Sequence, residues 1–172
     1  MKTVLTIAAA SVLLAACQTT RTEPPRATAQ LKATKGNKTF GEATFEQIGD
    51  KVKVTIFVQG LKPEQEHGLH IHEVGDCSSG DGMSTKGHFN PHGQRHGSPS
   101  GSMRHAGDLP ALKADKSGRA KVEADLDIIT VASGPASVVG RGLIVHADPD
   151  DYKTQPTGNA GARIACGIIE AG

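Results

Sequence analysis

Lys51-Val52-Lys53-Val54-Thr55-Ile56-Phe57-Val58 is the stretch that decides the fold. Positions 52, 54, 56 and 58 are apolar and β-branched, which is the period-two pattern of a strand with one buried face. Ile48-Gly49-Asp50-Lys51 immediately before it reads as a hairpin turn, which makes 39–48 the partner strand. Working outward, further strands are expected at 31–35, 67–72, 119–126, 142–147 and 163–169. No convincing helical period appears anywhere. Two long non-periodic stretches separate the strands: 73–110, rich in Gly, His and Ser, and 148–162, rich in Asp, Pro and Gly. Loops of that length inside a compact domain usually carry function. The expected fold is all-β, an antiparallel barrel or flattened sandwich of one domain over 31–172, without internal repeats.

Composition agrees with that reading. The chain has no Trp, one Tyr and four Phe, but 21 Gly and nine Pro. Short strands joined by irregular loops suit this better than a helical bundle packed on large side chains. Lys and Arg number 19 against 18 Asp and Glu, and only Lys2 among the charged residues lies in 1–16. Such balance excludes a general binder of nucleic acid or of anionic membrane.

The N-terminus reads as an address. Lys2 supplies a positive start, and Val4 to Ala16 is an apolar run of about thirteen residues, the size of a signal-peptide core and short for a membrane span. It ends Leu14-Ala15-Ala16-Cys17, which resembles the lipobox of bacterial lipoproteins. That resemblance implies a signal peptide over 1–16 and a diacylated Cys17 that holds the mature protein at a membrane. Gln18 after it resembles the outer-membrane sorting class. Residues 17–30 are polar and Pro-rich and read as a flexible tether.

The histidines carry the chemistry. His70 and His72 lie two apart on a strand, so both imidazoles point to the same side. A single half-buried His is more often structural than ligating; here the density downstream favours metal. His88, His92, His96, His105 and Asp108 sit in the Gly-rich loop, and His146 ends the strand begun by Gly142. Neutral imidazoles with one carboxylate suit zinc or copper, and no Cys-x-x-Cys offers a thiolate site. His88, His96, His105 and Asp108 are spaced to close one loop around a four-coordinate ion. His70, His72 and His146 come from strands and would form a more rigid, open site. Spacing alone does not show that one His serves two ions.

Four motifs add a resemblance. His67-Gly68-Leu69-His70-Ile71-His72-Glu73-Val74-Gly75-Asp76-Cys77 resembles the signature of the copper/zinc superoxide dismutase family. So does Gly87-His88-Phe89-Asn90-Pro91 followed by His96-Gly97. Arg104-His105-Ala106-Gly107-Asp108-Leu109 and Gly158-Asn159-Ala160-Gly161-Ala162-Arg163-Ile164-Ala165-Cys166-Gly167 complete the set, in family order across about 31–172. The resemblance implies a Greek-key β-barrel with one copper and one zinc per subunit. Copper would be held by His70, His72, His88 and His146. Zinc would be held by His88, His96, His105 and Asp108, with His88 bridging. Asp150 would be the carboxylate that hydrogen-bonds one copper His and one zinc His. His67 falls on a structural position, and His92 matches no ligand and is expected at the surface.

The same resemblance pairs Cys77 with Cys166. A bridge across that separation would stabilise by roughly 4–5 kcal/mol in the chain-entropy view and would pin the metal loop to the last strand, beside Arg163. Free thiols are unexpected in an exported chain. Arg163 is then read as a guanidinium at the copper mouth that draws in a small anion, the alternative being a surface salt bridge. The implied reaction is disproportionation of superoxide to oxygen and hydrogen peroxide, protecting the cell envelope of a Gram-negative bacterium from the periplasm. His88 would carry the coupled proton. Gln155-Pro156 stands where eukaryotic members have an acid- and Lys-bearing steering stretch, and Lys153 is expected to substitute for it. The rival reading is a non-enzymatic periplasmic copper or zinc binding or delivery protein; such domains usually lack a copper ligand or the Arg. A zinc hydrolase with Glu73 as base is disfavoured by the closed four-ligand zinc set. Both a homodimer and a monomer fit the bacterial members that the chain resembles.

Overall fold

A computed structural model describes residues 23–172; the expected signal peptide over 1–16, Cys17 and the first part of the expected tether lie outside the described residues. Among the described residues nine strands run β1 Arg26–Ala33, β2 Phe40–Ile48, β3 Lys51–Gln59, β4 Glu66–His67, β5 Leu69–His72, β6 Leu112–Lys113, β7 Ala120–Leu126, β8 Gly142–His146 and β9 Arg163–Ala171. The only helical turn among the described residues is the 3-10 segment Met83–Thr85.

Seven strands form one antiparallel sheet in the order β5-β8-β9-β1-β2-β3-β7. It curls into a Greek-key half-barrel. The short β4–β6 pair precedes the two edge strands β5 and β7 in the chain and links them. In β3, Val52, Val54, Ile56 and Val58 are fully buried as the alternation requires, and the turn at Gly49 pairs Ile48 with Lys51. Each such side chain contributes about 1.5–3 kcal/mol on leaving water. They pack with Phe45, Leu69, Ile71, Leu112, Leu143 and Ile169 into one core.

The first strand corrects the sequence reading. It begins at Arg26, so 26–30 belong to the barrel and not to the tether, and the strand does not start at Leu31. Ala27, Ala29 and Leu31 alternate with polar neighbours and are buried, and the backbone ladder to β2 and β9 holds them in place. Residues 67–72 are also not one strand. Glu66–His67 pairs with β6, whereas Leu69–His72 turns to pair with β8.

β5 positions the site. Leu69 and Ile71 enter the core, so His70 and His72 must face the other way, under the long loop. That loop is laid along β5 as an extra strand: Phe89 N–H donates to Ile71 C=O at 2.8 Å, and Ile71 N–H donates to Gly107 C=O at 2.9 Å. A Cβ at position 107 would collide with the Ile71 carbonyl, so only glycine lets the loop lie this close.

Candidate metal centre

Among the described residues there are two groups of buried ligand-type residues: His70, His72, His88 and His146, and His88, His96, His105 and Asp108. Within each group one ligand atom per residue lies within 4.8 Å of all the others. His88 belongs to both.

Backbone carries His146 to the first group. Leu143 and Val145 of β8 enter the core, leaving Ile144 and His146 on the side of His70 and His72. The β8–β9 ladder slips between Val145 and His146, a bulge that re-aims the final side chain.

Tautomers follow from hydrogen bonds. His72 Nδ1 lies 2.8 Å from the Lys86 carbonyl and His146 Nδ1 lies 3.2 Å from the Gly161 carbonyl. A carbonyl only accepts, so both Nδ1 atoms carry hydrogen and both Nε2 atoms present lone pairs. His70 donates from Nε2 to Asp150 Oδ2 at 2.7 Å, which frees its Nδ1 in the same way. His70 Nδ1, His72 Nε2, His88 Nε2 and His146 Nε2 are all buried and all without a hydrogen-bond partner. Four orphaned lone pairs are costly in a protein interior and fit a bound cation. Burial lowers His88 to about 4 and His146 to about 3, and holds His72 well below its ordinary value, so the rings stay neutral as ligation requires.

The second group is centred on Asp108. Its Oδ1 lies 2.9 Å from His88 Nδ1, 3.0 Å from His96 Nδ1 and 3.5 Å from His105 Nδ1. Three imidazole nitrogens and one carboxylate oxygen form the donor set of a closed tetrahedral zinc site. Oδ2 accepts from the backbone N–H of His105 at 2.8 Å and of Gly97 at 3.1 Å, which fixes the carboxylate. Burial works to raise the Asp108 carboxyl, but the bonds from His105, His88 and His96 outweigh it and hold it well below the usual range. At His96 burial pulls downward, and the bonds to Asp108 and Asp150 prevail and raise it to about 9.

Asp150 joins the groups: Oδ2 takes His70 Nε2, and Oδ1 takes His96 Nε2 at 2.9 Å. Gly158, at φ +67°, makes room for this, since a Cβ there would collide with Asp150 Oδ1 and His96 Nε2.

Arg163 opens β9 beside His146, its ladder partner. Its Nη1 donates to Gly82 C=O at 2.7 Å and to Thr85 Oγ1 at 2.8 Å, and Nη2 donates to Lys86 C=O at 2.7 Å. All three acceptors are neutral, so the guanidinium charge remains available to an incoming anion. The Cys77–Cys166 disulfide ties the segment carrying Gly82, Thr85 and Lys86 to β9. The resemblance had implied that pairing.

Other expected residues fall elsewhere. His67 is buried, with Nδ1 2.8 Å from the His146 carbonyl, and belongs to neither group. His92 is exposed and also belongs to neither. Lys153 is exposed and lines a groove of about 340 Å³ with Arg95, His96, Tyr152 and Gln155, a groove that Arg163 does not line. The Lys86 carbonyl and the Gln155 amide, which brace the site, carry no residue-type signal in the sequence.

The chain is similar to known proteins over most of its length. A family model described as copper/zinc superoxide dismutase matches residues 39–169. A Cu-Zn superoxide dismutase of Paramecium bursaria Chlorella virus 1 is 42% identical over 135 residues, covering 75% of this chain and 71% of the relative. A second Cu-Zn superoxide dismutase, of Aquifex aeolicus, is 38% identical over 148 residues, covering 84% and 86%. Among solved structures, the one titled a crystal structure analysis of the clock protein EA4 superposes with TM-score 0.78 at 40% identity, over 87% of this chain and 96% of that one.

Proposed function

We propose, since the chain belongs to the copper/zinc superoxide dismutase family and is an enzyme that disproportionates superoxide, that the two buried groups divide its two metals between them. His70, His72, His88 and His146 hold copper; His88, His96, His105 and Asp108 hold zinc. The observation that carries this division is the membership of His88 in both groups. Bound there, copper supplies reversible one-electron chemistry, while zinc, which has no redox states to use, supplies fixed charge and structure.

The chain's own residues do the rest. Two superoxide ions and two protons give one oxygen and one hydrogen peroxide. Arg163 draws the small anion inward and donates hydrogen bonds to it. His88 takes and returns a proton at Nε2, the atom that faces the copper-side group. Asp150 keeps His70 and His96 in their ligating tautomers. The direct test is superoxide loss by purified protein loaded with both metals. Activity with copper and zinc together, absent from the metal-free protein, supports the assignment; equal activity with zinc alone contradicts it.

We also infer that the protein is a bacterial lipoprotein of the periplasm, anchored through Cys17 to the membrane, the outer one by Gln18, where it removes superoxide from the envelope. The apolar run before Leu14-Ala15-Ala16-Cys17 supports this. The barrel starts at Arg26, which leaves 17–25 between anchor and domain. Cys17→Ser should move the protein from the membrane fraction to the soluble periplasm, and mass spectrometry should find a diacylated Cys17 in the wild type. An unmodified Cys17 would contradict the anchor. Sedimentation of the mature protein separates monomer from homodimer.

A further inference from the structure

Gln155 is exposed, yet both functions of its side-chain amide engage the main chain of His96, and its nitrogen also donates to the Lys153 carbonyl at 3.2 Å. His96 N–H donates to Gln155 Oε1 at 3.0 Å, and Gln155 Nε2 donates to His96 C=O at 2.9 Å. This reproduces with a side chain the double pairing that one antiparallel strand residue gives another. Among the described residues, neither backbone group of His96 has another hydrogen-bond partner. His96 itself is only 4% exposed, and unpaired backbone groups are disfavoured in such a place.

The other end of His96 is held from the same segment. Asp150 Oδ1 lies 2.9 Å from Nε2, while Nδ1 points at Asp108 Oδ1 at 3.0 Å. The segment 150–155 therefore grips His96 at ring and backbone together, and Gln155 fixes where the ring is anchored. Only a neutral amide serves: a carboxylate has no donor for the His96 carbonyl, and Asn is one methylene shorter.

We propose that Gln155 is a positioning residue of the zinc group. It sets the place of His96 Nδ1 and so helps retain zinc. This rests on the assignment of His96 to zinc.

The test uses the mature copper-loaded protein with Gln155→Ala and Gln155→Glu. Zinc affinity is read by competition with a chromophoric chelator, and the geometry of the site by the visible absorption of cobalt(II) bound in zinc's place. Both variants should bind zinc roughly 10- to 100-fold more weakly, the loss typical when a partner behind a metal ligand is removed. Their cobalt spectra should shift, while the copper d–d band keeps its position. Wild-type zinc affinity and an unshifted cobalt spectrum in either folded variant would overturn the proposal. Failure of the wild type to give a tetrahedral cobalt spectrum would instead overturn the zinc assignment beneath it.

Discussion

Arg163 and His72 share one oxygen: the Lys86 carbonyl accepts from Arg163 Nη2 at 2.7 Å and from His72 Nδ1 at 2.8 Å. The residue proposed to meet the substrate and a residue proposed to hold copper are thereby set relative to each other by a single peptide group. The guanidinium needs its fork for this arrangement, since Nη1 is engaged with Gly82 and Thr85 at the same time. Arg163→Ala is predicted to lower kcat/KM for superoxide about 10- to 100-fold, the worth of one hydrogen bond to a charged group. Arg163→Lys should recover part of that and remain sensitive to salt. Unchanged kcat/KM in the Ala variant contradicts the role.

The two groups should also be separable by mutation. His146 belongs only to the first and His105 only to the second. His146→Ala is predicted to abolish copper binding and activity while zinc stays bound. His105→Ala should weaken zinc at least about 100-fold, more than the loss of an outer partner costs, and leave the copper d–d band visible. Metal analysis by mass spectrometry of both variants checks the split. Loss of both metals from both variants would contradict it.

Cys77 and Cys166 lie 89 residues apart in the chain. Replacing both with Ser is predicted to destabilise the protein by about 4–5 kcal/mol through the freed entropy of the unfolded chain. Denaturant titration measures it. Because the bridge also anchors the segment that holds Arg163, kcat/KM should fall even where the variant remains folded.

Acid should destabilise the metal-free protein through its buried imidazoles. Burial holds His88 at about 4 and His146 at about 3, and His72 is also lowered, against an ordinary value near 6.5. Between about 6.5 and 4 the unfolded chain binds more protons than the folded one. Stability is thus fully present above about 6.5 and is lost as pH falls through that window. His96 acts oppositely: raised to about 9, its contribution is complete below 6.5 and fades as pH climbs toward 9. The thermal midpoint of metal-free protein is predicted to be highest near pH 6.5 and to decline on both sides. A midpoint that climbs steadily from pH 7 to 4 contradicts this.

What the sequence reveals here is what is local. Val52, Val54, Ile56 and Val58 announce β3 because a strand alternates every two residues, and His70 and His72 share a side for the same reason. The early start of β1 is hidden because Ala27 and Ala29 are too small to raise an amphipathic signal, although the ladder to β2 and β9 buries them. The break between His67 and Leu69 depends on which strands they meet, β6 and β8, which are far away in the chain. The Lys86 carbonyl is invisible because every residue has one. Gln155 is invisible because nothing in its neighbours indicates that His96, in the other long loop, lacks backbone partners. The histidine set itself was legible because imidazoles at such density have few other uses.

Anomalous diffraction from crystals of the copper- and zinc-loaded protein, recorded at both absorption edges, tests the shared imidazole most directly. The account predicts a copper peak among His70, His72, His88 and His146, a zinc peak among His88, His96, His105 and Asp108, and the ring of His88 between them. A single kind of metal in both positions, or two peaks of which only one lies within ligand distance of His88, would contradict it.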